Sequence, residues 1–187
     1  MQDQALKTDE KFTCHDYLHL PDDGKRYQII AGELFMVPAS TPYHQKVSIS
    51  IERMLYDYAR EHGGEVLDAP CDVVLSDVDV VQPDIIYISP ERLSIIKEKN
   101  IQGAPDLVVE ILSPYSDKID RISKTRLYAR FEIREYWIVD PDKKEITVLQ
   151  LAAGTYKKLG MFGIKDTFES RLLKGLTIRI SEIFQSY

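Results

Sequence analysis

Hydrophobic residues change their spacing in blocks along the chain, and each block predicts an element. Phe12 to Leu20 reads as a short helix. Thr13 is an N-cap residue type, Asp16 follows three places on, and Phe12 and Tyr17 stand where a hydrophobic staple needs them. Pro21-Asp22-Asp23-Gly24 ends it. Tyr27 to Val37 reads as a β-hairpin, with YQII and ELFMV on either side of a two-residue Ala31-Gly32 turn. From Pro42 to His62, the residues Val47, Ile51, Met54, Leu55 and Tyr58 recur at helical spacing, and Gly63-Gly64 stops that helix.

Three strand-like runs follow: EVLDAPCDVVLS (65–76), DVVQPDIIYIS (79–89) and DLVVEILS (106–113). The last is almost continuously apolar, as a strand covered on both faces requires. Pro90 to Asn100 is charged and predicts a short surface helix. Tyr115 to Phe131 reads as a helix, EYWIVDP (135–141) as a strand, and EITVLQL (145–151) as its partner across a polar turn. TYKKLGMF and TIRI add short strands, and SEIFQSY a helical turn. This order predicts one mixed α/β domain over residues 1–187, with its core at about 12–185 and a central sheet flanked by helices.

At 187 residues the chain is long enough to bury a sizeable core, and its 44% hydrophobic and 29% charged residues are ordinary. A net charge of −6 argues against a protein that coats nucleic acid non-specifically, because phosphate binding needs clustered Lys and Arg. It leaves room for a nuclease, whose metal-binding carboxylates add negative charge around a local basic patch. Cys14 and Cys71 are the only cysteines and build no disulfide framework. The first residues carry no apolar signal segment, and no run approaches the length of a membrane span. A reduced, cytoplasmic protein with no membrane association is the expectation.

Candidate chemistry lies where charge interrupts apolar sequence. Asp84 interrupts VVQPDIIYI and Glu110 interrupts LVVEIL. Charged groups are rarely buried unless paired or bound to a cation. On neighbouring strands, the two carboxylates would converge on one ion, and Mg²⁺ suits one or two carboxylates completed by water and phosphate oxygens. On a helix, Asp120, Lys124, Leu127, Tyr128 and Phe131 share one side, which the bulky residues turn inward. Lys118, Arg121 and Thr125 point elsewhere. An inward lysine beside metal-bound carboxylates stabilises developing charge or orients the attacking water. The same pattern also fits an Asp in a turn, a Glu on an edge strand and an Asp120–Lys124 helix pair. His15 and His19 with Asp16 between them lack the Glu and third ligand of a zincin helix and read as a capped surface helix. No phosphate-binding glycine loop, G-x-S-x-G elbow or Cys-His pairing occurs, and Trp137 reads as core.

Several strings in order resemble a bacterial family of restriction-endonuclease-like proteins within the PD-(D/E)XK nuclease superfamily. They are RYQIIAGELFMVPASTPYHQ (26–45), QPDIIYIS (82–89), GAPDLVVEILSP (103–114), D-x-x-x-K-x-x-x-Y-A (Asp120 to Ala129) and EYWIVDP (135–141). The resemblance spans roughly residues 12 to 185 and implies a restriction-endonuclease-like mixed central sheet with an N-terminal hairpin and extra C-terminal strands. It makes Pro83-Asp84 the first element and Glu110 the acid of the second. The lysine expected two residues after that Glu is Leu112 here, and Lys124 looks like its migrated replacement. The resemblance further implies the main-chain carbonyl of Ile111 as a metal ligand beside Asp84 and Glu110. It also implies Glu33, His44 and, with the helix pattern, Asp120 as accessory residues. Gln28 and Ala31 stand where the family's hairpin carries acids.

Together these imply a Mg²⁺- or Mn²⁺-dependent endonuclease acting on DNA through Asp84, Glu110 and Lys124. The competing expectation is an inactive interaction module that keeps the nuclease fold, suggested by the acidic charge and Gln28. A third is a hydrolase using Asp84 and Glu110 as an acid/base pair of separated pKa values. A homodimer would present two equal sites to a duplex, and Tyr156, Met161, Phe162 and Phe168 either serve such an interface or cap the sheet.

Overall fold

In the computed structural model, residues 11–21, 23–37, 39–113 and 119–184 are described. Thr13 opens the first helix, α1 (Cys14–Leu18), with a full capping box: its hydroxyl accepts from the Asp16 N–H, and the Asp16 carboxylate accepts from the Thr13 N–H. The hairpin follows as β1 (Arg26–Ile30) and β2 (Glu33–Val37). Its turn holds Ala31 at φ 55° and Gly32 at φ 81°, the left-handed pair that matches strand twist in two-residue hairpins. The Ala31 N–H donates to buried Asp79, which also receives Ser76 and Arg130.

Thr41 caps the long helix α2 (Pro42–His62), Pro42 sits in its first turn, and Gly63 ends it at φ 82°. Its buried stripe of Val47, Ile51, Leu55 and Ala59 faces the larger sheet. The two runs read as single strands from the sequence are each divided. The first gives β3 (Glu65–Asp68) and β4 (Val73–Ser76), and the second β5 (Asp79–Val81) and β6 (Ile85–Ile88). Each run crosses from one sheet to another, because apolar continuity does not reveal where a chain turns a corner. A 3₁₀ helix (Pro90–Ile95) and the two-residue β7 (Ile101–Gln102) lead into β8 (Leu107–Ile111).

The next helix differs from its prediction. Tyr115 lies outside the described residues, Ile119–Lys124 wind as π turns, and only Thr125–Arg130 (α3) is α-helical. The Asp120 carbonyl accepts from the Thr125 hydroxyl and from the Tyr136 hydroxyl, which supports the widened turns. Then come β9 (Glu135–Asp140), β10 (Glu145–Ala152), β11 (Thr155–Gly163), β12 (Thr167–Glu169), β13 (Thr177–Arg179) and α4 (Ile180–Ile183).

One sheet runs β2-β1-β5-β4-β7 and the other β11-β10-β9-β8-β6-β3, with β12 and β13 paired separately. Within the larger sheet only β8 and β9 run parallel. Side-chain alternation divides its two faces. Leu107, Val109 and Ile111 of β8 pack with α2 in one core, while Val108 joins Ile86, Ile88, Leu127 and Tyr128 in the other. Glu110 therefore points to the α3 face. Among the described residues no helix is long and apolar enough to cross a membrane.

Candidate active site

Asp84 stands at the corner where the chain leaves β5 and enters β6. The antiparallel register pairs Ile85 with Val109, so Asp84 falls beside Glu110 on the same face as Ile86 and Val108. Its Oδ2 accepts the Ile111 N–H at 2.7 Å and closes the end of the β6–β8 ladder. His44, in the first turn of α2, has its N–H held by the Thr41 hydroxyl at 3.1 Å. Its Nε2 lies 3.3 Å from Asp84 Oδ2 and 3.2 Å from the Ile111 carbonyl oxygen. Two acceptors facing one ring nitrogen require that nitrogen to carry the proton. Burial alone pulls the imidazole pKa down, but Asp84 and the Ile111 carbonyl outweigh it, and the net shift is upward.

Glu110 and Lys124 meet below. Lys124 Nζ lies 2.8 Å from Glu110 Oε1 and 3.1 Å from Asp120 Oδ1, and all three side chains are buried. The Tyr128 hydroxyl donates to the same Glu110 oxygen at 2.5 Å. Desolvation pushes the Glu110 carboxyl up to about 8, with Asp120 and Asp84 adding to it and Lys124 opposing. For Lys124, desolvation favours the neutral amine, but Asp120 and Glu110 prevail and raise its pKa, so it is an ammonium. Burial first, then Glu110, holds the Tyr128 hydroxyl protonated.

These groups line one cavity of about 280 Å³. Asp84, Glu110, Ile111, Asp120, Lys124 and His44 all reach it, as do Gln28 and Gln82. Gln28 is buried, and its Oε1 has no hydrogen-bond partner among the described residues. The oxygen donors here, two carboxylates and a main-chain carbonyl, are those a hard cation such as Mg²⁺ prefers. Among the described residues no group of three or more His, Cys, Asp or Glu side chains is placed to hold a metal ion by itself. Mg²⁺ does not require one, since it keeps several waters and takes substrate phosphate oxygens. The residues present therefore fit the group.

Residues 14–181 match the Uma2 family, described as "Putative restriction endonuclease". The chain belongs to this family. Its fold is also that of a crystal structure of a "putative nuclease belonging to DUF820" from Anabaena variabilis, at a TM-score of 0.76 and 18% identity, covering 92% of this chain and 97% of that one. No curated protein matches the chain.

Within the Uma2 fold, the sequence-derived residues separate clearly. Asp84, Glu110, Ile111, Lys124, Asp120 and His44 come together at the cavity. Glu33 does not: it starts β2, is exposed, and lies outside the cavity lining. Leu112 takes the place where the resemblance expects lysine, and the amine beside Glu110 comes from the π turn instead. His15 and His19 lie exposed at the surface with their rings tilted and their centroids 4.4 Å apart, outside the cavity lining. Sequence reasoning missed Tyr128 and Gln82. Tyr128 follows Lys124 by four residues on the inward face, and a buried tyrosine needs a partner for its hydroxyl. That need was the available signal.

Proposed function

We propose that the chain hydrolyses phosphodiester bonds of DNA as a Mg²⁺- or Mn²⁺-dependent endonuclease. Asp84, Glu110 and the Ile111 carbonyl would hold the ion, and Lys124 is the catalytic cation. One observation carries this reading: two carboxylates and an ammonium from three separate elements line a single cavity. The family and the fold support it. When bound, the ion supplies a water of lowered pKa and neutralises charge on the phosphate.

The chain's own residues do the rest. The Ile111 N–H and His44 fix the Asp84 carboxylate. Tyr128 orients Glu110. Asp120 and Glu110 keep Lys124 charged, so Lys124 acts as a hydrogen-bond donor to phosphate oxygens and not as a base. Cleavage of plasmid and oligonucleotide DNA with Mg²⁺ or Mn²⁺, compared with Asp84→Ala and Glu110→Ala, tests the assignment. Activity is expected to fall at least a hundredfold in both variants, and equal activity in all three proteins ends the idea.

A second reading, a nuclease fold kept for binding without catalysis, is favoured by Gln28, an amide where the resemblance expects an acid. It requires that calorimetry detect no saturable Mn²⁺ binding.

A further inference from the structure

A lysine carries its charge on a long flexible stem, so an ammonium that must meet one phosphate oxygen needs its head fixed by other groups. Glu110 and Asp120 fix the head of Lys124, at 2.8 Å and 3.1 Å. Glu110 is itself held within β8, a strand paired on both sides. Asp120 has no such support. It lies in the π turns that precede α3, outside the α-helical ladder. Its place has to be imposed from a more rigid element.

Tyr136, in β9, does this. The parallel register sets Tyr136 beside Val108 and Ile138 beside Glu110, so its ring stands on the same face of the sheet as the Glu110 carboxylate. The ring is fully buried, and its hydroxyl donates to the main-chain carbonyl of Asp120 at 3.0 Å. The Thr125 hydroxyl donates to the same oxygen at 3.2 Å. Tyr128 meets Tyr136 edge to face, with ring centroids 5.1 Å apart and planes at 86°, and its own hydroxyl donates to Glu110. The two tyrosines therefore hold the two carboxylates that grip Lys124. Tyr128 acts on the side chain of Glu110, and Tyr136 on the main chain of Asp120. Neither tyrosine lines the cavity.

We infer that Tyr136 is a positioning residue for the reaction: through its bond to the Asp120 carbonyl it sets the carboxylate that aims Lys124 at the scissile phosphate. The consequence for cleavage rests on the proposed nuclease reading, whereas the link from Tyr136 to Lys124 rests on the contacts alone.

Tyr136→Phe keeps the ring and its edge contact and removes only the hydroxyl. In Mn²⁺-dependent cleavage of an oligonucleotide its kcat is expected to fall about tenfold, with KM and the calorimetric Mn²⁺ affinity within about twofold of the wild type. Tyr156→Phe is the control. It removes a hydroxyl bond of 2.8 Å to the Ile133 carbonyl from a ring 6.0 Å from Tyr136 and outside the cavity lining, and kcat should not change. NMR of isotope-labelled lysine reads the link without turnover. The ε-methylene signal of Lys124, identified by its loss in Lys124→Met, should move toward that of exposed lysines in Tyr136→Phe and stay in place in Tyr156→Phe. A wild-type kcat in Tyr136→Phe overturns the inference. So does a lowered kcat with an unmoved Lys124 signal, or an equal fall in Tyr156→Phe. If the wild type cleaves nothing, the nuclease reading falls, and the Lys124 signal decides the link by itself. Should Tyr136→Phe not fold, Thr125→Val, which removes the other hydroxyl on the Asp120 carbonyl, carries the same outcomes.

Discussion

Replacing Lys124 with Met keeps most of the side-chain volume and removes the charge, which isolates the electrostatic role of the amine. In the native chain that amine faces Glu110 at 2.8 Å and Asp120 at 3.1 Å with almost no access to water. Removing one partner from a buried charge cluster costs about 3–5 kcal/mol. For a chain of 187 residues that corresponds to a melting temperature lower by roughly 6–20 °C. The pH dependence distinguishes this from lost packing. Desolvation raises the folded-state pKa of Glu110 from 4.5 to about 8 even with Lys124 present. A raised acid contributes stability that is full below its unfolded pKa and is lost as pH rises through its folded pKa. In the wild type that loss is complete near pH 8. Without the ammonium the folded pKa is higher still, so the variant goes on losing stability above pH 8, at about 1.4 kcal/mol per pH unit. The gap between the two proteins is therefore expected to be flat from pH 6 to pH 8 and to widen by about 2 kcal/mol between pH 8 and pH 9.5. Urea titrations followed by the fluorescence of Trp137, the only tryptophan, measure it. Equal stabilities at pH 7, or a gap that narrows above pH 8, would refute the reasoning.

Other outcomes follow from single contacts. Asp84→Asn leaves His44 buried but without its carboxylate, so its pKa should drop from above 6.5 to below it, as ring-proton NMR would show; an unmoved pKa would contradict the assigned contact. Glu135 is fully buried and accepts from Trp137 Nε1, the Ser170 hydroxyl and the Leu172 N–H. Glu135→Ala should cost about 3–5 kcal/mol in urea titrations by leaving these donors unmet. Leu55→Ala, in the α2 stripe, should cost about 2–5 kcal/mol in the same titration, and a cost below 1 kcal/mol would place Leu55 outside the core. Ala31→Asn should stabilise the hairpin by about 1 kcal/mol, since Asn adopts the left-handed conformation more readily.

Elements with local signals were legible in the sequence. The bounds of α2 follow from Thr41, Gly63 and an apolar stripe between them, all of which act within one helix. Asp84 and Glu110 stood out because charge inside apolar strands demands a compensating partner. Long-range choices were not legible. The runs 65–76 and 79–89 keep their apolar character across the corners that divide them, so nothing local marks the change of sheet. The π turns at Ile119–Lys124 put Asp120 and Lys124 on the inward face just as α turns would, so the spacing does not tell the two apart. Tyr128 looked like bulk for the core, because its hydroxyl gains meaning only once β8 lies beside α3. Glu33 failed for the opposite reason: hairpin alternation sends it outward at the turn, whatever the motif around it suggests.

The corner at Gln82–Asp84 has a mechanical side. β5 belongs to one layer and β6 to the other, so this short stretch is a stitch running through both. Asp84 rides on the stitch, whereas Glu110 is anchored in the middle of a single layer between β6 and β9. Splaying of the layers would pull Asp84 against the Ile111 N–H that ties it to β8 beside Glu110. Affinity for a cation at this spot would then work as a strain gauge, registering core substitutions in β5 or β4 that never touch the cavity.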